Sequence, residues 1–408
     1  MKLLVATEFP PNASGGGPAI VRQMLRDWPA DDLFWWSCLP DCDRRFGRKV
    51  AQHFCATIPH KLMPHRRLTG AKSALLDWFW TPFASTHLKK TIRQVQPDVI
   101  WAIPHNWSII PLARVLPTSG VGFHVTMQDY VDVHGQEGKF SRARCGRMAE
   151  EADRLYAAAT TRDATSHPMI EDLRNRTGAN AVQMLHAGLD SEDFDFLAHK
   201  SLPLTNSSTP IKIAYAGTIL VEQVFELFVS AIKEIRRSLT QRIELHLFGA
   251  HSYARRRWFD PEWMVENGNL PEAELLKKLR NCDWGFAPMA LDDNDPRYNR
   301  FSFPTKFVTY LAAGLPIITL GHFESSLARM ARQYEVGLCT GATTVDELAS
   351  HLMNTLSAQE SFDKYKAEII RCTTNEFDAE RMRRTLSECF EKCANQTIGR
   401  FALRSNTR

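Results

Sequence analysis

The chain has 408 residues, too many for one compact core, and at about 100–200 residues per domain it should hold two or three domains. Hydrophobic residues make up 44% and charged ones 24%, which excludes disorder for the bulk of the chain. Fifty basic against 46 acidic side chains leave only +4, so no strongly basic nucleic-acid binder is expected, although a local basic patch fits. Nine cysteines include no Cys-x-x-Cys pair and read as reduced thiols of a cytoplasmic protein. The opening Met1-Lys2-Leu3-Leu4-Val5-Ala6 is apolar, but Glu8 and Pro10-Pro11 end it too early for a secretion signal. The longest uncharged stretch, residues 99–113, is too short for a bilayer span, so the chain should be soluble or at most peripheral to the inner face of a membrane.

In chain order, Leu3-Leu4-Val5-Ala6 reads as a first strand, followed by a Pro/Gly/Ser loop and helical spacing at Ile20, Met24 and Leu25. Residues 99–103 and 121–125 read as further strands, with Leu112, Val115 and Leu116 on a helix between them. A polar Ser/Thr/Pro stretch over residues 198–210 cannot form a core and marks a domain junction near residue 205. The pattern then restarts: strands over 211–216, 243–249, 284–287 and 315–319, with a helix from about 222 to 236. Helical spacing at Phe377, Met382, Leu386 and Phe390 predicts a terminal helix, with a frayed basic tail after Thr397. This alternation predicts an α/β chain of two doubly wound parallel sheets, with ligands at the carboxyl ends of the strands.

Three stretches carry possible chemistry. Gly15-Gly16-Gly17 after the first strand, with Pro18 at a helix start, would let bare backbone N–H groups approach an anion; the spacing is neither a dinucleotide fingerprint nor a Walker motif. Past the strand at 121–125, Gln128, Asp129 and His134 stand where α/β ligand sites form, though Asp129 could equally cap a helix. The third stretch, residues 301–318, takes a proline turn into a helix with Lys306 in its first turn and Gly314 at its end. Lysine at the positive end of a helix is unfavourable unless an anion offsets it. A pyrophosphate there would satisfy Lys306, the Thr305 hydroxyl and the free N–H groups together; a surface lysine held by water is the plain alternative.

Ser302-Phe303-Pro304-Thr305-Lys306 with Tyr310-Leu311-Ala312-Ala313-Gly314-Leu315-Pro316 resembles the donor-binding segment of retaining GT-B glycosyltransferases of the group-1, family-4 class. Gly15-Gly16-Gly17, Gln96-Pro97-Asp98-Val99-Ile100, Ala152-Asp153-Arg154, His186-Ala187-Gly188-Leu189-Asp190 and Ala214-Tyr215-Ala216-Gly217 resemble further landmarks of that class, in its order, over nearly the whole chain. The resemblance implies a GT-B fold with two Rossmann-like domains facing a central cleft. An acceptor-binding domain over residues 1–200, with a terminal helix over 376–396 packing back on it, would join a donor-binding domain over 201–375. It implies metal-independent transfer of a sugar, with retention, from a nucleotide-sugar co-substrate to a glycan, lipid-linked or small-molecule hydroxyl, as in polysaccharide biosynthesis, with no other cofactor. Gly15, Gly16, Gly17, Gly217, Thr218, Ser302, Thr305, Lys306 and Thr309 would bind the donor, and Asp129, Lys306 and Gln128 would serve catalysis.

The departures from the class are specific. Its two glutamates separated by seven residues fall on Phe301 and Thr309, and its usual histidine before Asp129 is Gln128, which cannot act as a base. Thr218 and Gln223 stand where basic residues are usual, while Asp292, Asp293, Asp295, Arg297 and Arg300 could supply substitute charges. These departures keep a non-catalytic sugar-nucleotide-binding or regulatory protein open beside the enzyme, as well as a nucleotide-sugar epimerase or a sugar phosphorylase on the same fold. Residues 65–90, where His65, Arg66, Arg67, Lys72, Lys89 and Lys90 flank Trp78-Phe79-Trp80 and Phe83, suit a helix at a membrane surface, but packing against the sheet is favoured. Arg255-Arg256-Arg257-Trp258 reads as a solvated loop, and the acidic run 292–295 as solvated rather than metal-binding.

Overall fold

A computed structural model describes residues 1–41, 48–59, 68–129, 140–199, 209–239, 241–292, 296–357 and 361–405. His134, the basic run 65–67, Asp293, Asp295 and most of the polar stretch near residue 205 lie outside the described residues. The chain forms two compact units, Met1–His186 with Arg381–Arg408, and Ala187–Glu380.

The first unit holds six parallel strands, β1 (Leu3–Thr7), β2 (Leu33–Ser37), β3 (Gln52–Cys55), β4 (Val99–Ile103), β5 (Phe123–Met127) and β6 (Thr161–Ala164), in the order β3-β2-β1-β4-β5-β6. Every residue of β1, β4 and β5 is buried, as expected for central strands covered on both faces. The strand expected at 121–125 lies two residues later, because Gly122 passes beneath the terminal helix, where any side chain would meet the Cys393 carbonyl. That helix runs from Ala379 to Ser405, further than the frayed end expected after Thr397. From Arg381 it belongs to this unit, burying Met382, Leu386, Cys389, Phe390 and Cys393 at helical spacing.

The second unit has β7 (Ile211–Ala216), β8 (Ile243–Phe248), β9 (Met264–Glu266), β10 (Trp284–Pro288), β11 (Ile317–Leu320) and β12 (Cys339–Thr340), ordered β12-β11-β10-β7-β8-β9. Numbered within each unit, both sheets have strand order 3-2-1-4-5-6, the doubly wound arrangement whose order reverses between its first and fourth strands. Beside β11, Leu315 and Pro316 remain in the connection rather than the strand. The unit changes at Ala187, earlier than the polar stretch. The reason is local: Asp193 pairs with Arg280 at 2.9 Å, the Arg280 guanidinium lies over Phe196, and Leu189 N–H donates to the Phe377 carbonyl at 2.7 Å.

Most of the tryptophans are structural. Trp35, Trp36 and Trp101 are buried in the first unit, and Trp258, Trp263 and Trp284 in the second, where Phe225, Phe228 and Phe286 pack around them. Trp258 is thus an anchor below an exposed Arg255-Arg256-Arg257 loop. Packing fails to account for Trp78, Phe79 and Phe83, which are exposed.

Candidate functional site

In the second unit the functional geometry starts at the reversal point, between the carboxyl ends of β7 and β10. These strands pair only through Ile213–Trp284 and Ala214–Gly285. Beyond that the Tyr310 hydroxyl stands between them, accepting from Ala216 N–H at 2.8 Å and donating to the Phe286 carbonyl at 3.1 Å. Gly285 makes room for it, since a Cβ there would lie 2.4 Å from the Tyr310 ring. Tyr310 comes from the helix Thr305–Ala312, which Gly314 ends in the left-handed conformation at φ +64°.

The same helix delivers Lys306. Its Nζ donates to the Tyr215 hydroxyl at 3.0 Å and lies 4.1 Å from the centre of that ring. The Tyr215 hydroxyl in turn donates to the Thr218 carbonyl at 2.7 Å, tying the lysine to the turn after β7. Among the described residues no carboxylate pairs with Lys306. Its side chain keeps some exposure, but dense surroundings strip water from the ammonium and push its pKa down to about 7. No side chain caps the helix; Phe307 N–H turns back to the Pro304 carbonyl at 3.1 Å, which leaves the N–H groups of Thr305 and Lys306 for a ligand beside the lysine.

Gly217 sits within reach, its φ of +104° in the region that favours glycine, and the nearest Lys306 carbon is 4.0 Å from where its Cβ would be. Thr218 is exposed beside it. The structure therefore brings Gly217, Thr218, Tyr215 and Lys306 together, with Thr305 preceding the lysine. Ser302 is buried, its carbonyl taken by the Ser326 hydroxyl. Thr309, one turn into the helix, donates its hydroxyl back to the Thr305 carbonyl at 3.1 Å. Tyr215 and Tyr310 are missed by the sequence reading, because their roles depend on contacts across elements.

The first unit repeats the principle with other groups. Gly15, at φ +113°, precedes the helix Gly16–Met24, whose start also has no side-chain cap. Gly17 lies against Gln128: the amide donates to the Gly17 carbonyl at 3.3 Å, and a Cβ on Gly17 would meet its Oε1 at 2.5 Å. Asp129 follows at the end of β5, partly exposed, with His105 Nε2 at 3.8 Å. His105, just past β4, bonds through Nδ1 to Glu8, just past β1, and Asn106 Nδ2 is 3.3 Å from the same carboxylate. Glu8 is buried, and its carbonyl holds the N–H groups of Cys38 and Leu39. A carboxylate on Nδ1 fixes that nitrogen as the donor and leaves Nε2 facing Asp129. Neither Glu8 nor His105 is among the expected site residues. The available signal is their position, each directly after a central strand beside the reversal point.

Among the described residues no group of three or more His, Cys, Asp or Glu side chains is arranged to hold a metal ion. Residues 228–375, which include the Lys306 helix, match the family model described as glucosyltransferase 3-like, C-terminal domain. No curated protein matches the sequence. Among solved structures the chain is similar to sucrose-phosphate synthase from Thermosynechococcus elongatus, with a TM-score of 0.67 and 14% identity over 96% of this chain and 99% of that one. The fold is that of the GT-B glycosyltransferases. Other structures similar to this GT-B chain are Anabaena HepE in complex with UDP (TM-score 0.65, 13% identity, 96% of this chain and 100% of that one) and an α,α-trehalose-phosphate synthase (UDP-forming) from Burkholderia xenovorans in complex with glucose-6-phosphate (TM-score 0.63, 11% identity, the same coverage). The stretch that matches the glucosyltransferase 3-like model thus lies within the second unit, and its helix with Lys306 stands at the reversal point of that unit's sheet.

Proposed function

We propose that the chain is a glycosyltransferase that moves a sugar from a nucleoside-diphosphate sugar, a UDP-sugar foremost, to a hydroxyl acceptor. Lys306 carries this reading: an ammonium that no carboxylate of the described residues pairs with, beside a helix start without a side-chain cap and the bare Gly217 turn, is arranged for a diphosphate. The UDP bound by HepE, a protein of the same fold, supports the choice of nucleotide. As the glycosidic bond breaks, charge gathers on the leaving diphosphate, and Lys306, Thr305 and the helix N–H groups offset it. The leaving phosphate takes the proton of the acceptor hydroxyl on the face it departs from. Transfer then retains configuration with neither a metal nor a protein base, and Gln128 in place of a histidine is tolerated. In the first unit, Gly15, Gly16 and Gly17 offer backbone N–H groups, and Gln128, Asp129 and His105 held by Glu8 offer polar groups for hydroxyl-rich ligands.

A second reading rests on Thr309. Its hydroxyl donates back within the helix rather than toward a ligand, which favours a protein that binds a sugar nucleotide without turning it over. Calorimetric titration with UDP, paired with a UDP-glucose turnover assay, decides. Lys306→Ala should weaken UDP binding by about 2 kcal/mol, near thirtyfold, whereas His105→Ala leaves it unchanged. Equal affinity of the Lys306→Ala variant and the native chain rejects the phosphate assignment. Binding without turnover of UDP-glucose or any other nucleotide sugar selects the second reading.

A further inference from the structure

The first unit carries a surface that neither site assembly uses. Residues 69–95 form helical turns in sequence, Thr69–Leu75, a π turn over Leu76–Trp80, and Thr81–Val95. One face is core: Leu76, Trp80, Ala84, Leu88, Ile92 and Val95 are buried, with Trp80 edge-on to Trp107 at 6.0 Å. Asp77 locks the rotation, paired with the buried Arg144 and with Arg147 at 2.9 Å. The wide π turn lets the adjacent Trp78 and Phe79 both point outward. They are 78% and 66% exposed, and Leu75 and Phe83, on the same face, are 43% and 54% exposed. The face continues through Thr86 to the exposed Lys89, Lys90 and Arg93. Asp77 is the sole acid within residues 68–95, and it is turned inward into its two ion pairs.

We propose that this outward face docks on a membrane surface rich in anionic phospholipid, with Leu75, Trp78, Phe79 and Phe83 entering the headgroup boundary and Lys89, Lys90 and Arg93 meeting the phosphates. The chemistry is that of an interfacial helix: an aromatic end for the acyl boundary and a basic end for the lipid charge. A second copy would bring the same acid-free face, with no carboxylate for the basic end. No described helix is long and apolar enough to cross a membrane, so the contact is tangential. The inference is independent of the proposed transferase activity.

The test is cosedimentation of the full chain with vesicles of phosphatidylcholine alone and of phosphatidylcholine mixed with phosphatidylglycerol. The native chain should pellet with the mixed vesicles and stay in solution with the neutral ones. The triple variant Trp78→Ser, Phe79→Ser, Phe83→Ser should lose at least about tenfold in vesicle affinity, and Lys89→Ser with Lys90→Ser should reduce the salt dependence. These side chains are exposed, so unchanged thermal unfolding of each variant certifies its fold. The proposal is overturned if the native chain does not pellet with anionic vesicles, or if the aromatic variant pellets as well as the native chain. A dimer in solution that the aromatic variant dissociates would assign the face to a second copy instead.

Discussion

At the scale of single residues, Lys306 makes its own prediction. Burial has moved its pKa down to about 7, whereas a diphosphate requires the charged form. On the proposed diphosphate assignment, binding above pH 7 takes up a proton. Affinity for UDP should fall with rising pH between about 7 and 9, by up to about tenfold per unit, over a range where the terminal phosphate is fully ionised. Lys306→Arg, which stays charged throughout, should flatten the profile. Titrations in buffers of different ionisation enthalpy measure the proton uptake directly; a flat profile for the native chain would show either that Lys306 stays charged throughout or that another group holds the phosphate, and the Lys306→Ala affinity separates the two. The lysine is legible in the sequence, because a cation in the first turn of a helix runs against the helix dipole and asks for a reason. Its depressed pKa is not legible, since it depends on groups distant in sequence, including Tyr215.

At the scale of elements, the helix Thr305–Ala312 has two attachments. Lys306 reaches one strand end, while Tyr310 holds β7 and β10 apart at the point where a ligand site can open. Gly285→Ala would drive a Cβ into a ring that two hydrogen bonds keep in place, so the second unit should lose about 1–3 kcal/mol, read as a lower unfolding midpoint in urea. Gly17→Ala is the contrast: its Cβ meets the mobile end of Gln128, and stability should stay within about 0.5 kcal/mol. Strong elements such as β1, β4 and β7 are legible from their apolar runs. The strands β6, β9 and β12 are not, because β6 interleaves Arg162 and Asp163 with small residues and the other two are very short edge strands. The pair Glu8 and His105 stayed hidden for a related reason. Residues 97 positions apart meet only because β1 and β4 are neighbours in the sheet.

At the scale of the molecule, the chain builds the same strand order twice and then returns to its first unit through the terminal helix. That return is fastened at His124, fully buried on β5, whose ring lies edge-on to Phe390 at 5.8 Å. Burial alone would lower its pKa, but the Asp163 carboxylate, 3.0 Å from Nε2, more than offsets this and raises it to about 9. A folded-state pKa above the unfolded value contributes stability that is complete below about pH 6.5 and lost as pH rises through 9. Urea unfolding across that range should show the first unit losing on the order of 3 kcal/mol, and Asp163→Asn should remove the pH step.

The sequence by itself determined the α/β class, the two-unit plan and the helix that carries Lys306, because apolar runs, helical spacing and Gly/Pro punctuation are local properties of the chain. The tertiary structure alone decided that Tyr215 and Tyr310 meet that helix at the carboxyl ends of β7 and β10 and that His105 rests on Glu8. It also decided that Trp78 and Phe79 face outward while Trp80 faces in. Each of these depends on which strands become neighbours and how a helix is rotated on its sheet, and both are set by packing between residues far apart in sequence.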